Sequence, residues 1–330
     1  MTLLLSAHDV RRLLPMPEAI DAMEAAFRSL SAGEARLPLR TIVWTPDRRG
    51  GLGVMPGYLP QRLGAKLVSV FPGNHGTELD SHQGIVLLFE TERGRLVAAA
   101  DATAITAIRT AAVSGLATRL LAREDAGDLA IFGSGTQART HLDAMLAVRK
   151  LRRIRVWSRS PENAREFAAR EGDRHGVSID VASSAEKAAY GADLLCTVTS
   201  SKEPFLRGEW LSPGAHVNAA GSSVATAREL DAAAVAKASL FVDRRESTVN
   251  EGGDFLLAKA EGAVTDEHIR AELGDVLTGK AAGRQSPEEI TLFKSLGLAI
   301  EDIAAVDHIR RRAIEKGIGV EFDFGGRRET

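Results

Sequence analysis

The 330-residue sequence predicts an α/β protein whose second half is a doubly wound parallel sheet, preceded by an α+β region. Three observations predict it. After Asp128, short apolar runs alternate with helical segments, the rhythm of a parallel sheet covered on both faces. A glycine loop joins the first of those runs to its helix. Between Leu37 and Ala100, by contrast, β-rich runs follow one another with Gly, Pro and Asp turns and no helix between them.

In chain order, Pro17 to Ala32 begins with proline and sets Ile20, Met23, Phe27 and Leu30 on one face, so it reads as an amphipathic helix ended by Gly33. Thr41–Trp44, Lys66–Phe71, Ile85–Phe89 and Leu96–Ala100 read as strands of an antiparallel or mixed sheet. Thr103 to Leu121 is an alanine-rich helix with Asp101 or Thr103 as its cap. Then come strand Leu129–Phe132, helix Thr136–Arg149, strand Ile154–Trp157 and helix Pro161–Arg170. Further strands follow at Ile179–Ala182, Leu194–Val198, His216–Ala220 and Leu240–Val242. A last helix from Leu296 to about Glu315 is placed to pack back on the first region, and the tail from Gly325 to Thr330 reads as frayed.

Composition narrows the function classes. Hydrophobic residues at 44% and charged residues at 26% describe a globular chain, and a net charge of -2 offers no basic field for nucleic acid or an anionic membrane. No apolar stretch approaches the ~18 residues of a membrane helix. The absence of a signal-type N-terminus makes a cytoplasmic location the expectation. The single cysteine, Cys196, reads as a small buried strand residue.

The glycine loop is Gly133-Ser134-Gly135-Thr136-Gln137-Ala138, following the strand that ends at Phe132. That context is the dinucleotide fingerprint of a Rossmann domain. Gly133 permits the tight turn, Gly135 lets backbone approach a pyrophosphate, and the start of the helix offers unpaired N–H groups to phosphate. The second strand ends Trp157-Ser158-Arg159-Ser160, without the carboxylate that NAD binders place there for the ribose 2′-hydroxyl. Arg159, flanked by Ser158 and Ser160, instead suits a 2′-phosphate, so NADP(H) is the preferred cofactor, with NAD(H) possible.

Three cations precede the loop in surroundings that make them expensive to bury alone: Arg40 before a strand, Lys66 inside one, and Arg109 in a small-residue helix. A substrate carboxylate is one partner that would satisfy them. Internal salt bridges would do so equally, and composition does not choose between the two. His75 and His82 flank a Gly-containing loop with roles left open, and no histidine spacing points to a metal. Nor is there a GxSxG elbow for a hydrolase.

From Leu37 to Asp307 the sequence resembles the ornithine cyclodeaminase/mu-crystallin family. The resemblance is carried by Met55-Pro56-Gly57-Tyr58, Lys66 to Asn74, Asp101 to Ala112, the glycine loop, Glu203-Pro204-Phe205 to Gly221, and Phe293-Lys294-Ser295-Leu296-Gly297. It implies a discontinuous substrate-binding and dimerisation domain, 1–117 with 298–330, around a Rossmann domain at 118–297, with the substrate facing the nicotinamide between them. It further implies that Arg40, Lys66 and Arg109 hold the substrate, and that Thr110, Ser158, Arg159, Thr197, Val198 and Ser222 line the cofactor. A homodimer is implied as well. Cyclodeaminases carry an Asp shortly after the Asn-Ala-x-Gly segment, where Ser223 stands here. That departure resembles the mu-crystallin branch, whose members reduce cyclic ketimines, and Glu251 matches an acidic position near that branch's substrate. Asp231, eight residues on, reads as a surface carboxylate rather than a substitute base.

The resulting expectation is an imine reductase. Arg40 and Arg109 clamp a carboxylate, Lys66 hydrogen-bonds the substrate and relays a proton, and Ser223 and Glu251 orient the nitrogen. A cyclodeaminase, a dehydrogenase of a larger amino acid, and an NADPH-dependent binding protein are the alternatives.

Overall fold

Residues 1–74 and 76–325 are described in the computed structural model; His75 and the tail at 326–330 lie outside them. The chain divides into two units, Met1–Arg109 with Leu298–Thr330, and Thr110–Gly297.

The first unit opens with β1 (Thr2–Leu5), α1 (Ala7–Leu13) and α2 (Met16–Ser31). Ser6 caps α1 in a reciprocal capping box with Asp9. A meander follows: β2 (Thr41–Trp44), β3 (Gly51–Leu59), β4 (Arg62–Val70), β5 (His82–Glu90) and β6 (Leu96–Asp101). Its neighbours pair antiparallel, and β1 joins β6 in parallel. Helix α3 (Ala102–Leu121) comes next, its residues from Thr110 onward belonging to the second unit, and Asp101 accepts the Ala104 N–H at 2.7 Å, as the sequence leads one to expect of its cap.

The second unit runs β7 (Asp128–Phe132), α4 (Thr136–Val148), β8 (Arg153–Trp157), α5 (Pro161–His175), β9 (Asp180–Val181), α6 (Ala185–Ala189), β10 (Leu194–Thr197), β11 (His216–Ala219) and α7 (Ala232–Lys237). It continues through β12 (Ser239–Val242), α8 (Arg245–Glu251), α9 (Gly253–Ala260), β13 (Ile269–Glu272), α10 (Leu273–Leu277) and β14 (Thr291–Lys294). The eight strands pair in parallel in the order β13-β12-β14-β11-β10-β7-β8-β9. The stretch β9-β8-β7-β10-β11 is the 3-2-1-4-5 order of a Rossmann sheet, with its switch point between β7 and β10. Cys196 is fully buried in β10, and burial pushes its thiol up to about 12.

Back in the first unit, α11 (Ala299–Lys316) and the edge strand β15 (Val320–Phe322) complete a seven-stranded sheet ordered β15-β1-β6-β5-β4-β3-β2. Helix α11 packs on β3, β4 and β5 and against α2, the return expected of the last helix. Strand β3 is the main element the sequence reading does not find, because three glycines and Pro56 interrupt it. One of them, Gly57, makes room for α11, as does Gly64 of β4. A Cβ at Gly57 would lie 3.1 Å from Ala299 Cβ and from Ile303 Cδ1. At Gly64 of β4 it would lie 2.8 Å from Ile303 Cγ1 and 2.7 Å from the Leu87 carbonyl. Gly64→Ala should therefore destabilise the protein by about 1–3 kcal/mol through overpacking. A urea midpoint identical to wild type would contradict this account of the helix–sheet contact.

Candidate functional site

In the second unit the glycine loop leaves β7 at the switch point. Gly133 sits at φ 119°, donates its N–H to the Trp157 carbonyl at 2.8 Å, and would place a Cβ 2.8 Å from the Val198 carbonyl. Only glycine fits there. Gly135 caps α4 with no side-chain bond, and a Cβ on it would meet nothing within 4 Å. The first N–H groups of α4 thus face open space beside exposed Thr136, while Ala138 is fully buried and keeps the helix close to the sheet. The buried Thr197 hydroxyl at the end of β10 lacks a hydrogen-bond partner. A bare helix start, room for a close approach and an orphaned hydroxyl together fit a bound dinucleotide.

The other residues assigned to the cofactor divide. Ser134 donates to the Ser158 hydroxyl at 3.2 Å, tying the loop to the end of β8, and Arg159 beside it is exposed. Ser160 instead caps α5, accepting the Asn163 N–H at 3.2 Å, which gives its hydroxyl a structural task. Ser222 is buried and donates to the Ala227 carbonyl. Val198 is buried and donates its N–H to the Phe132 carbonyl at 3.0 Å. Thr110 is buried in α3, and Gln137 half-buried, with its backbone carbonyl 2.8 Å from His141 Nδ1. Ser223 is exposed beyond β11, and Glu251 half-buried at the end of α8. Asp231 caps α7 by accepting the Ala234 N–H at 2.7 Å, and also accepts the Gly208 N–H at 3.0 Å. It is a structural cap rather than a spare base.

In the first unit two of the three sequence-predicted cations, Lys66 and Arg109, meet on α11. Lys66, buried in β4, donates to Asp302 Oδ1 at 3.3 Å and to the Thr106 hydroxyl at 3.2 Å. Arg109, buried in α3, donates through Nε to the same Asp302 oxygen at 3.2 Å and through Nη1 to Glu301 at 2.7 Å. Two cations and two carboxylates therefore cancel in a buried site, and internal salt bridges satisfy much of what a substrate carboxylate was invoked to satisfy. Burial, foremost, brings the Lys66 ammonium down to about 8, against the pull of Asp302. Arg109 is held well charged: Asp302 and then Glu301 outweigh its own burial.

Register places the remaining candidates. Lys66 pairs with Met55 on one side and Val86 on the other, and Thr41 pairs with Val54. Half-buried Arg40, one residue before β2, thus continues the row of Lys66 two strands away, about 10 Å at the usual strand spacing. His82 lies on the Lys66 face of β5, exposed at its rim yet packed closely enough that desolvation, then the Lys66 charge, lowers its pKa. Glu301 and Asp302 are the residues the sequence reading missed. Their signal was two adjacent acids inside the apolar stretch Leu296 to Val306.

Sheet order, glycine loop and the open start of α4 define a dinucleotide-binding protein of the Rossmann type. The family follows from comparison. The chain belongs to the ornithine cyclodeaminase/mu-crystallin family, whose model matches residues 1–317. The mouse (Mus musculus) ketimine reductase mu-crystallin is 42% identical over 308 residues, 91% of this chain and 94% of that protein. The Thermococcus litoralis Delta(1)-pyrroline-2-carboxylate reductase, solved with NADH and L-proline, superposes with a TM-score of 0.94 at 39% identity, covering 97% of this chain and all (100%) of the other. An archaeal alanine dehydrogenase dimer with bound NAD gives 0.93 at 34% identity over 98% of this chain and 99% of that one. Among the described residues no helix is long and apolar enough to cross a membrane.

Proposed function

We propose that the chain is an NAD(P)H-dependent reductase of small imino acids, of ketimine or iminosuccinate/iminopyruvate type, yielding the amino acid. The observation that carries this reading is the buried Lys66 ammonium, fixed beside Arg109 by Asp302. With Thr106 and Asp302 holding two of its hydrogens, Lys66 keeps a third to offer a substrate. Arg109 has an Nη2 with no hydrogen bond among the described residues, and with Arg40 it holds the substrate carboxylate. A dinucleotide held by the glycine loop and the start of α4 would, when bound, supply the hydride for the imine carbon. Lys66 protonates the nitrogen, and Ser223 and Glu251 orient it. That acid must be charged to act, so its pKa sets the upper pH limb. In an NADPH oxidation screen with pyrroline- and piperideine-2-carboxylate, and with pyruvate or oxaloacetate plus ammonia, at least one substrate should turn over. For it, kcat/KM should be level below about pH 8 and fall tenfold per unit above, as Lys66 loses its proton. Lys66→Met should abolish turnover while leaving NADPH affinity within about threefold. Equal loss of both would remove Lys66 from the chemistry.

NADP(H) is the preferred cofactor on this reading, with NAD(H) accepted. The support is local: β8 ends on Trp157, the next residues are Ser158 and exposed Arg159, and no carboxylate stands at the strand's end to hold a 2′-hydroxyl. A charge-assisted arginine–phosphate contact of about 1.5–3 kcal/mol corresponds to roughly 10- to 100-fold. Arg159→Asp should remove a preference of that size, read as the ratio of kcat/KM with the two cofactors. An unchanged ratio would leave Arg159 a surface residue.

The same reading includes a homodimer. The face of the first unit's sheet turned away from α11 carries Val43 at 64%, Leu63 at 45%, Leu52 at 42% and Ile85 at 40% exposure, an apolar patch that a second copy would cover. Light scattering should give twice 35.2 kDa, and Leu52→Lys with Leu63→Lys should shift it toward one chain. A wild-type mass of 35.2 kDa would exclude the dimer.

A further inference from the structure

Glu229 is fully buried in the second unit and takes no part in the chemistry above. Its Oε1 accepts both the N–H and the O–H of Thr199 at 2.6 Å, and its Oε2 accepts the Gly221 N–H at 2.9 Å. Thr199 lies two residues beyond β10, and Gly221 two beyond β11. One carboxylate therefore joins the loops that leave the carboxyl ends of two adjacent parallel strands, where Rossmann sheets bind their ligand. Behind it stands a second buried acid. Asp254 Oδ1 accepts the Glu229 and Leu230 N–H groups at 2.8 and 3.0 Å, and its Oδ2 lies 2.8 Å from Lys294 Nζ, which also donates to the Ser222 carbonyl.

Neighbouring glycines show how closely this bracket is fitted. A Cβ at Gly221 would lie 2.4 Å from Glu229 Oε1 and from the Thr199 carbonyl. The Val198 carbonyl, one residue before Thr199, is the atom that forbids a Cβ on Gly133. The glycine loop and the two loops held by Glu229 thus lean on one another. Burial, then the Asp254 carboxylate, push Glu229 up to about 7 against its Thr199 donors and Lys294, so the bracket is built from a group that is costly to keep charged there.

The Rossmann sheet has two mononucleotide halves. The adenine half is served by the loops after β7 and β8, with Gly135, Ser158 and Arg159. The loops after β10 and β11 serve the nicotinamide half. We propose that Glu229 is a positioning residue for the nicotinamide end of the cofactor, setting the loops at Thr199 and Gly221–Ser222 through one shared carboxylate. The proposal rests on the dinucleotide reading and adds a division of labour within that site.

The test is calorimetric titration of the full chain with NADPH and with 2′-phospho-ADP-ribose, which lacks the nicotinamide end; NADH and ADP-ribose serve if NADH is the better ligand. In Glu229→Gln, affinity for the intact dinucleotide should fall at least tenfold, while the truncated ligand should bind within twofold of wild type. Equal losses for the two ligands, or no loss for either, would overturn the proposal, since a merely structural residue gives the first and an idle one the second. If Glu229→Gln does not fold, Thr199→Val removes one of the three donors, and the same split is expected at threefold or more. Equal effects on both ligands would again overturn it. A wild-type chain that binds neither ligand would sink the dinucleotide reading itself.

Discussion

Two acids on one turn of α11 hold the first unit's two buried cations in place. Glu301 and Asp302 lie in the first turn of that helix, fully buried, and they receive Arg109 from α3 and Lys66 from β4. Three elements far apart in the chain meet through them; Lys66 and Asp302 are separated by 236 residues. The helix can come close enough only because β3 and β4 carry glycine at 57 and 64. A side chain at either position would lift α11 from the sheet and lengthen contacts that are already 3.2 to 3.3 Å at Asp302. Sheet packing and the electrostatics around Lys66 and Arg109 are therefore one constraint.

The second unit solves a parallel problem with the same means. Its strand order creates a crevice at the switch point, but loops leaving parallel strands have no ladder to hold them. Buried carboxylates supply the missing bonds: Glu229 for Thr199 and Gly221, Asp254 for the backbone at Glu229 and Leu230, and Asp243 for the N–H groups of Leu296 and Gly297. Each accepts main-chain N–H donors at these loops, and a buried N–H left without such a partner costs about 1–3 kcal/mol; the Gly221 N–H is shared with the Thr197 carbonyl at 3.0 Å.

Legibility in the sequence followed the range of the interaction. The glycine loop, the strands on either side of it and the cap at Asp101 are local patterns, and each lies where its residues place it. The cations at 66 and 109 were conspicuous as charges in apolar stretches. Their partners were not, because nothing local ties Asp302 to a strand more than 200 residues away. Strand β3 was hidden by Gly51, Gly53, Pro56 and Gly57, residues that argue against a strand; of these Gly57 is explained by the helix that presses on it. Strand β14 was passed over because four residues ending in a lysine carry little periodic signal, and Lys294 is explained only by Asp254. Glu229 sits in an irregular stretch where no periodicity marks an inward side chain.

Stability alone does not account for this buried charge. Replacing a buried ion pair by apolar side chains of similar volume is often neutral or favourable, whereas removing one partner is costly. A chain needing only a firm contact between α11 and its sheet would be served as well by leucine at 66, 302 and 109. What the ion network delivers, and an apolar one does not, is a buried ammonium of fixed position whose pKa burial has brought down to about 8. Asp302 fixes the position and offsets part of the desolvation. Arg109, adding positive charge nearby, pushes the Lys66 pKa the other way. The balance among the three, rather than any single pair, is what tunes the site.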